Sequence, residues 1–195
     1  MRRDAGTDAI EAVTIHPVFR HACASVEHAE GELRSRGDAL GRDCWVVRFV
    51  GGWYRPYEGD GTRNEDWYCW RAAVLAPFDG VVESTHVNPV TNQPGHHPGG
   101  RASSITFRRA DGVRVLYAHV DQIAVRPGET VVAGQPVARV GNNGTSRHPH
   151  LHVGAWRDDR PLQIRFDLRA LGRLQAADPE GYAGGRSPGG GETGS

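Results

Sequence analysis

Gly141-Asn142-Asn143-Gly144-Thr145-Ser146-Arg147-His148-Pro149-His150-Leu151-His152-Val153-Gly154 is the stretch whose reading organises the whole chain. It opens in glycines and asparagines, residues that accept the positive φ of tight turns. It closes in His150-Leu151-His152-Val153, whose apolar/polar alternation predicts a short strand. Residues two apart on a strand project from the same face, so His150 and His152 are expected to point into one space. Paired imidazoles on a rigid strand suit a zinc site with one ligand and one acid/base neighbour. In a chain with ten histidines, however, the same tripeptide also arises as two solvated or core residues. The surrounding sequence has to decide between these readings.

Upstream, Val125 to Gly141 runs through short apolar segments with turns at Gly128 and Gly134. Ser104-Ile105-Thr106-Phe107 and Val113-Arg114-Val115-Leu116-Tyr117-Ala118-His119 alternate in polarity around Asp111-Gly112, which predicts a hairpin. Ala73-Val74-Leu75-Ala76-Pro77-Phe78-Asp79-Gly80-Val81-Val82 reads as a second hairpin, with Asp79 a structural turn residue. Asn88 to Arg101, rich in Pro, Gly, Asn and His, reads as a long exposed loop. Short strands without intervening helices predict a mostly β fold, a compact antiparallel β-sandwich or partial barrel.

The flanks are less regular. Ser25 to Arg36 predicts a helix, with Ser25 as N-cap and Gly37 as stop. Trp45 to Val50 is strand-like, and Trp53, Tyr54, Tyr57, Trp67, Tyr68 and Trp70 crowd the next segment, either lining a groove or building core. Asp167 is placed to cap a last helix, and Gly, Pro and Ser dominate after Asp178. The expected division is an N-terminal extension over 1–42, a β domain over 43–166, a helix over 167–177 and a disordered tail over 178–195.

A chain of 195 residues holds one real core. Its 23 basic and 23 acidic residues cancel, leaving no electrostatic case for nucleic acid. Cys23, Cys44 and Cys69 are odd in number and form no CxxC pair, which argues against a disulfide framework or zinc knuckle. No stretch reaches the roughly 20 apolar residues of a membrane-spanning helix. No signal peptide is visible at the start, so the expected location is cytoplasmic as written, or the cell envelope if export follows a route the sequence does not display.

Taken together, Ala76-Pro77-x-Asp79-Gly80-Val81-Val82, Tyr117-Ala118-His119, Gly134-Gln135-Pro136-Val137 and Gly144-Thr145-Ser146…Pro149-His150-Leu151-His152 resemble the LytM/lysostaphin-type zinc endopeptidases over about residues 64–156. The resemblance implies a small β-sandwich whose groove holds one zinc, and a substrate drawn from peptidoglycan cross-links. It also implies that His152 binds zinc, that His119 and His150 flank the activated water as catalytic residues, and that Tyr117 and Asn143 contact substrate. The chemistry is consistent: zinc lowers the pKa of a bound water to about 7, and imidazoles titrate in the range useful for proton transfer.

One feature departs from that family. Its pattern places a zinc-binding His four residues before a zinc-binding Asp, just upstream of Ala76-Pro77. Here Asp66, or Glu65 in a neighbouring register, can stand for the carboxylate, but Gly61 or Thr62 falls where the His belongs, and no His lies between His28 and His86. Three repairs remain open: a His from elsewhere (His86, His96 or His97), an oxygen set of Asn64, Glu65 and Asp66, or a metal-free groove serving as a peptidoglycan-binding or hydrolase-activating module. The expected metal ligands are thus His152 and Asp66, while His16, His21 and His28 are read as surface or core residues and His148 as a loop residue. A biotinyl or lipoyl carrier is excluded because the chain contains no Lys. A phosphocarrier using His119 and His152 fits the Pro149-His150-Leu151-His152 context less well, and no G-x-S-x-G nucleophile motif is present.

Overall fold

The computed structural model describes residues 9–31, 37–96 and 98–179. In chain order the strands are β1 (Ala12–Ile15), β2 (Cys23–Glu27), β3 (Arg42–Val46), β4 (Arg48–Val50), β5 (Trp53–Arg55), β6 (Ala73–Leu75), β7 (Gly80–His86), β8 (Ser104–Arg108), β9 (Arg114–Ala118), β10 (Val120–Asp121), β11 (Thr130–Val131), β12 (Pro136–Val140), β13 (Leu151–Arg157), β14 (Arg160–Pro161) and β15 (Gln163–Phe166). One helix, α1 (Leu168–Ala177), follows. The Asp167 side chain caps it, accepting from the Arg169 and Ala170 amides. The fold is mostly β, as the alternation predicts.

The main sheet has the order β11-β7-β8-β9-β13-β3-β2, with β14 also paired to β13. A three-stranded sheet, β10-β12-β6, packs against it. Alternation along the main sheet separates two faces. Ile105, Phe107, Val115, Tyr117, Leu151, Val153 and Cys44 point into the core between the sheets. Ser104, Thr106, Leu116, His152, Asp43 and Trp45 point to the other face, where they line an open groove.

The Pro77-to-Gly80 turn joins strands of different sheets instead of closing a hairpin. β6 pairs with β12 while β7 pairs with β8 and β11. The apolar residues on both sides of the turn are satisfied by facing each other across the core, and Asp79 fixes the corner by accepting from the Ala133 amide at 2.8 Å. The expected β8–β9 hairpin forms in register, Arg108 opposite Arg114.

The expected helix from Ser25 is absent over the described part of that span. Ser25, Val26 and Glu27 lie in β2, opposite Cys44, Asp43 and Arg42. Cross-strand pairing on an existing sheet edge outweighs local helix propensity here. Residues 32–36 of that expected helix, and 180–195 of the expected tail, lie outside the described residues. The boundary drawn after residue 42 falls inside β3, which hydrogen-bonds to β13 and so joins the amino-terminal segment to the main sheet. β1 adds a parallel pairing with β15.

Candidate active site

The groove encloses about 960 Å³ above the centre of the main sheet. On its floor β3 and β13 run antiparallel with Asp43 directly opposite His152. Asp43 Oδ1 lies 2.9 Å from His152 Nδ1, and Asp43 Oδ2 lies 3.4 Å from His28 Nε2. His28 stands one residue beyond β2, its amide bonded to the Gly41 carbonyl at 2.9 Å. Its ring stacks on that of His152, with centroids 5.2 Å apart. One ligand atom from each of His28, Asp43 and His152 can be chosen so that all lie within 4.8 Å of one another.

The far nitrogens of these two histidines are held by backbone carbonyls. His28 Nδ1 is 3.2 Å from the Asp38 carbonyl, and His152 Nε2 is 3.1 Å from the Gly37 carbonyl. A carbonyl only accepts, so each far nitrogen carries a proton; His152 Nδ1 also donates, to the Asp43 carboxylate, and would give up that proton to a metal. This is the arrangement that orients metal-ligating imidazoles. The close approach depends on two glycines. Gly37 has φ +94°, and a Cβ on Gly154 would lie 1.8 Å from the Gly37 oxygen. Two imidazoles and a carboxylate fit zinc, leaving a fourth position open.

Burial opposes charge on Asp43, but the His152 hydrogen bond and the three surrounding imidazoles hold its carboxyl well below the usual range. Burial likewise works against a charged His152, yet Asp43 overrides it and the ring's pKa is raised. His119 and His150 behave in the opposite way. Burial, with His150 beside it, pushes His119 down to about 3. Burial pushes His150 down to about 4, with Asp43 offsetting part of the effect. Both are therefore neutral near pH 7. His119 Nδ1 donates to the Asn143 carbonyl at 2.8 Å and His150 Nδ1 to the His148 carbonyl at 2.9 Å, which leaves each Nε2 as a proton acceptor. Their ring centroids are 4.6 Å apart. His119 has φ +60°, strained for a non-glycine residue, and marks the break between β9 and β10.

Other expected site residues are placed elsewhere. Asp66 bonds the Arg63 amide and guanidinium and lines a separate depression with Glu65, so it is tied up as the cap of a short 3-10 turn. Asn64 is buried against Asn92 and Asn142. Tyr117 is fully buried and its hydroxyl donates to the Leu75 carbonyl at 3.0 Å, tying the two sheets together; it does not reach the groove. Asn143 is buried, its side chain accepting from the Ser103 amide and donating to the Val120 carbonyl, and its main-chain carbonyl holds His119. His86 ends β7 and His96 is exposed; neither lines the groove, and His97 lies outside the described residues.

His148, expected as a plain loop residue, stacks on Trp67 at 4.3 Å and accepts from Trp45 Nε1 at 3.2 Å. None of the six aromatics from Trp53 to Trp70 lines the groove, whereas Trp45 does. Cys69 is buried against the Pro149 carbonyl with its thiol pushed up to about 12 by burial, which rules it out as a nucleophile.

His28 and Asp43 are the residues that sequence reasoning missed. The available signal was the strand-like alternation at Cys44-Trp45-Val46, which extends back to place Asp43 and Trp45 on one face.

Residues 68–164 match the model of peptidase family M23. Over 106 residues, 53% of this chain, the sequence is 33% identical to an uncharacterized metalloprotease of Haemophilus influenzae. Over 85 residues, 44% of this chain, it is 36% identical to the DD-carboxypeptidase/endopeptidase Mpg of Neisseria meningitidis. In each case the match covers 20% of the relative, so the chain spans about a fifth of their length. A chain from the SpoIIQ–SpoIIIAH pore-forming complex shares the fold at TM-score 0.51 and 16% identity, over 79% of this chain and 89% of that one. The matched segment carries His119, His150 and His152, while His28 and Asp43 lie upstream of it. By that match residues 68–164, just under half of the chain, form a peptidase family M23 segment, and the two remaining candidate ligands are supplied from outside it.

Proposed function

We propose that the groove is the active site of a metalloendopeptidase, with peptidoglycan cross-link peptides as its substrate class and the cell envelope as its place of work. The observation that carries this reading is the convergence of His28, Asp43 and His152 beside two neutral imidazoles in an open groove. These three residues would hold one zinc. When bound, zinc supplies Lewis-acid polarisation of the substrate carbonyl and lowers the pKa of a water to about 7.

The chain's own residues do the rest. Asp43, kept ionised by its histidine neighbours, brings the negative charge that makes the site attractive to a divalent cation. Hydrolysis requires an attacking water to lose a proton and a departing amine to gain one. His119 Nε2 and His150 Nε2 are both unprotonated and adjacent, so either is placed to take the proton of the attacking water and return it to the departing amine. Asn143 fixes His119, and the His148 carbonyl fixes His150.

One observation favours the competing reading of a non-catalytic groove that binds peptidoglycan or activates a partner hydrolase. Both ring nitrogens of His152 find acceptors within the chain, on Asp43 and Gly37. Zinc content separates the two readings. Protein purified without added metal or chelator should carry close to one zinc per chain, His28→Ala and His152→Ala close to none, and the parent should release fragments from muropeptides. A folded parent without zinc, unable to take up added zinc, would shift the function to binding.

A further inference from the structure

The groove is electrostatically lopsided. One wall holds its acidic residues, Asp38 and Asp43, both engaged by histidines. The other wall carries Arg101 and Arg147, both exposed, together with Gly100, Ala102 and Thr145. Neither arginine forms an ion pair with a described residue, so both guanidiniums are open to a ligand in the groove.

The backbone beneath the two arginines is unusually well tied for loop structure. Arg101 accepts at its carbonyl from Asn88 Nδ2 at 2.9 Å, and Arg147 from the Gly95 amide at 2.8 Å. Buried Asn92 donates to the Gly144 and Ser146 carbonyls, and Asn143 accepts from the Ser103 amide. A Cβ on Gly144 would lie 2.6 Å from the Ala102 backbone, so the loops bearing the arginines are in direct backbone contact. The main chain that bears the two arginines is thereby anchored beside the histidines of the groove. A guanidinium presents forked donors matched to a carboxylate.

We infer that Arg101 and Arg147 form a carboxylate-recognition wall, so that the preferred ligand is a peptide carrying a free carboxylate near the bond presented to the histidines. This deepens the peptidase reading of the same groove and rests on it. The carboxylate has two sources, an acidic side chain or a chain terminus, and four otherwise identical short peptides separate them: Glu or Gln within the peptide, combined with a free or amidated C terminus.

Binding is measured by calorimetry on the full chain carrying His150→Ala, which slows turnover, with and without Arg101→Gln plus Arg147→Gln. The carboxylate peptides should bind about fivefold to tenfold more tightly than the fully amidated one, with the preference reduced below about twofold in the arginine variant and weakened by about 0.5 M salt. Equal affinity for all four peptides, no binding of any, or a preference that survives in the arginine variant overturns the inference. Cleavage by the unsubstituted protein keeps the two readings separate. Equal KM and kcat for all four peptides overturns the arginine wall and leaves the peptidase standing. Arginine-dependent carboxylate binding without cleavage supports the wall and removes the peptidase.

Discussion

Asp43 and His152, 109 residues apart in sequence, face each other across the β3–β13 ladder with Oδ1 2.9 Å from Nδ1. This pairing, with His28 stacked on His152, gathers three side chains that could hold a metal ion. Replacing Asp43 by Ala is expected to reduce retained zinc from near one per chain to near none. Asp66→Ala should leave zinc unchanged, because Asp66 is committed to Arg63. Metal analysis of the two purified variants checks both outcomes.

His119 and His150 stand beside the donor set, and their hydrogen bonds leave Nε2 free as an acceptor. Alanine at either position should preserve zinc while lowering kcat about 10²–10⁴-fold, the usual worth of a positioned acid/base. Zinc content measured alongside turnover distinguishes this from loss of a ligand. A variant that loses zinc as well as turnover would place that histidine among the donors.

Gly154 admits the Gly37 carbonyl to the edge of His152, since a Cβ there would sit 1.8 Å from that oxygen. Gly154→Ala should cost more than about 2 kcal/mol of stability and weaken zinc retention by displacing the carbonyls that orient His152 and His28. Thermal unfolding and a chelator competition would reveal the two effects. An unchanged melting temperature would show that this contact is not constraining.

Tyr117→Phe tests whether that residue serves the core or the substrate. Its hydroxyl satisfies the buried Leu75 carbonyl, so removal should cost about 1–3 kcal/mol and lower Tm by several degrees. KM should stay unchanged at temperatures where the variant is folded. A raised KM with an unaltered Tm would return Tyr117 to the groove.

The thiols should differ in reactivity. Cys23 is exposed, whereas burial raises the Cys44 thiol well above its ordinary value and Cys69 to about 12. An aromatic disulfide reagent at neutral pH should modify one thiol in the native protein and three after denaturation. Rapid native modification of more than one would show that the β2–β3 edge opens.

Local sequence carried a large part of this structure. Period-two alternation marked β8, β9 and the start of β13, Asp111-Gly112 marked the hairpin between β8 and β9, and Asp167 marked the start of α1. The same alternation put His150 and His152 on one face, and the flanking motifs pointed to the family, because these features depend only on neighbouring residues.

Tertiary structure alone decided which residues complete the site. His28 and Asp43 reach His152 only because β2 and β3 add to the β13 edge in one register; a one-residue slip of β3 would turn Asp43 into the core and Cys44 into the groove. That register is set by burial of Cys44 and Val46 against the sheet interior, a long-range packing term absent from any local window. Asp66 and Tyr117 looked eligible by position in the motif, but the Arg63 ion pair and the Leu75 carbonyl claimed them. Strand order therefore determined the donor set, since adjacency between strands far apart in the chain is fixed by the shared core and not by spacing along the sequence.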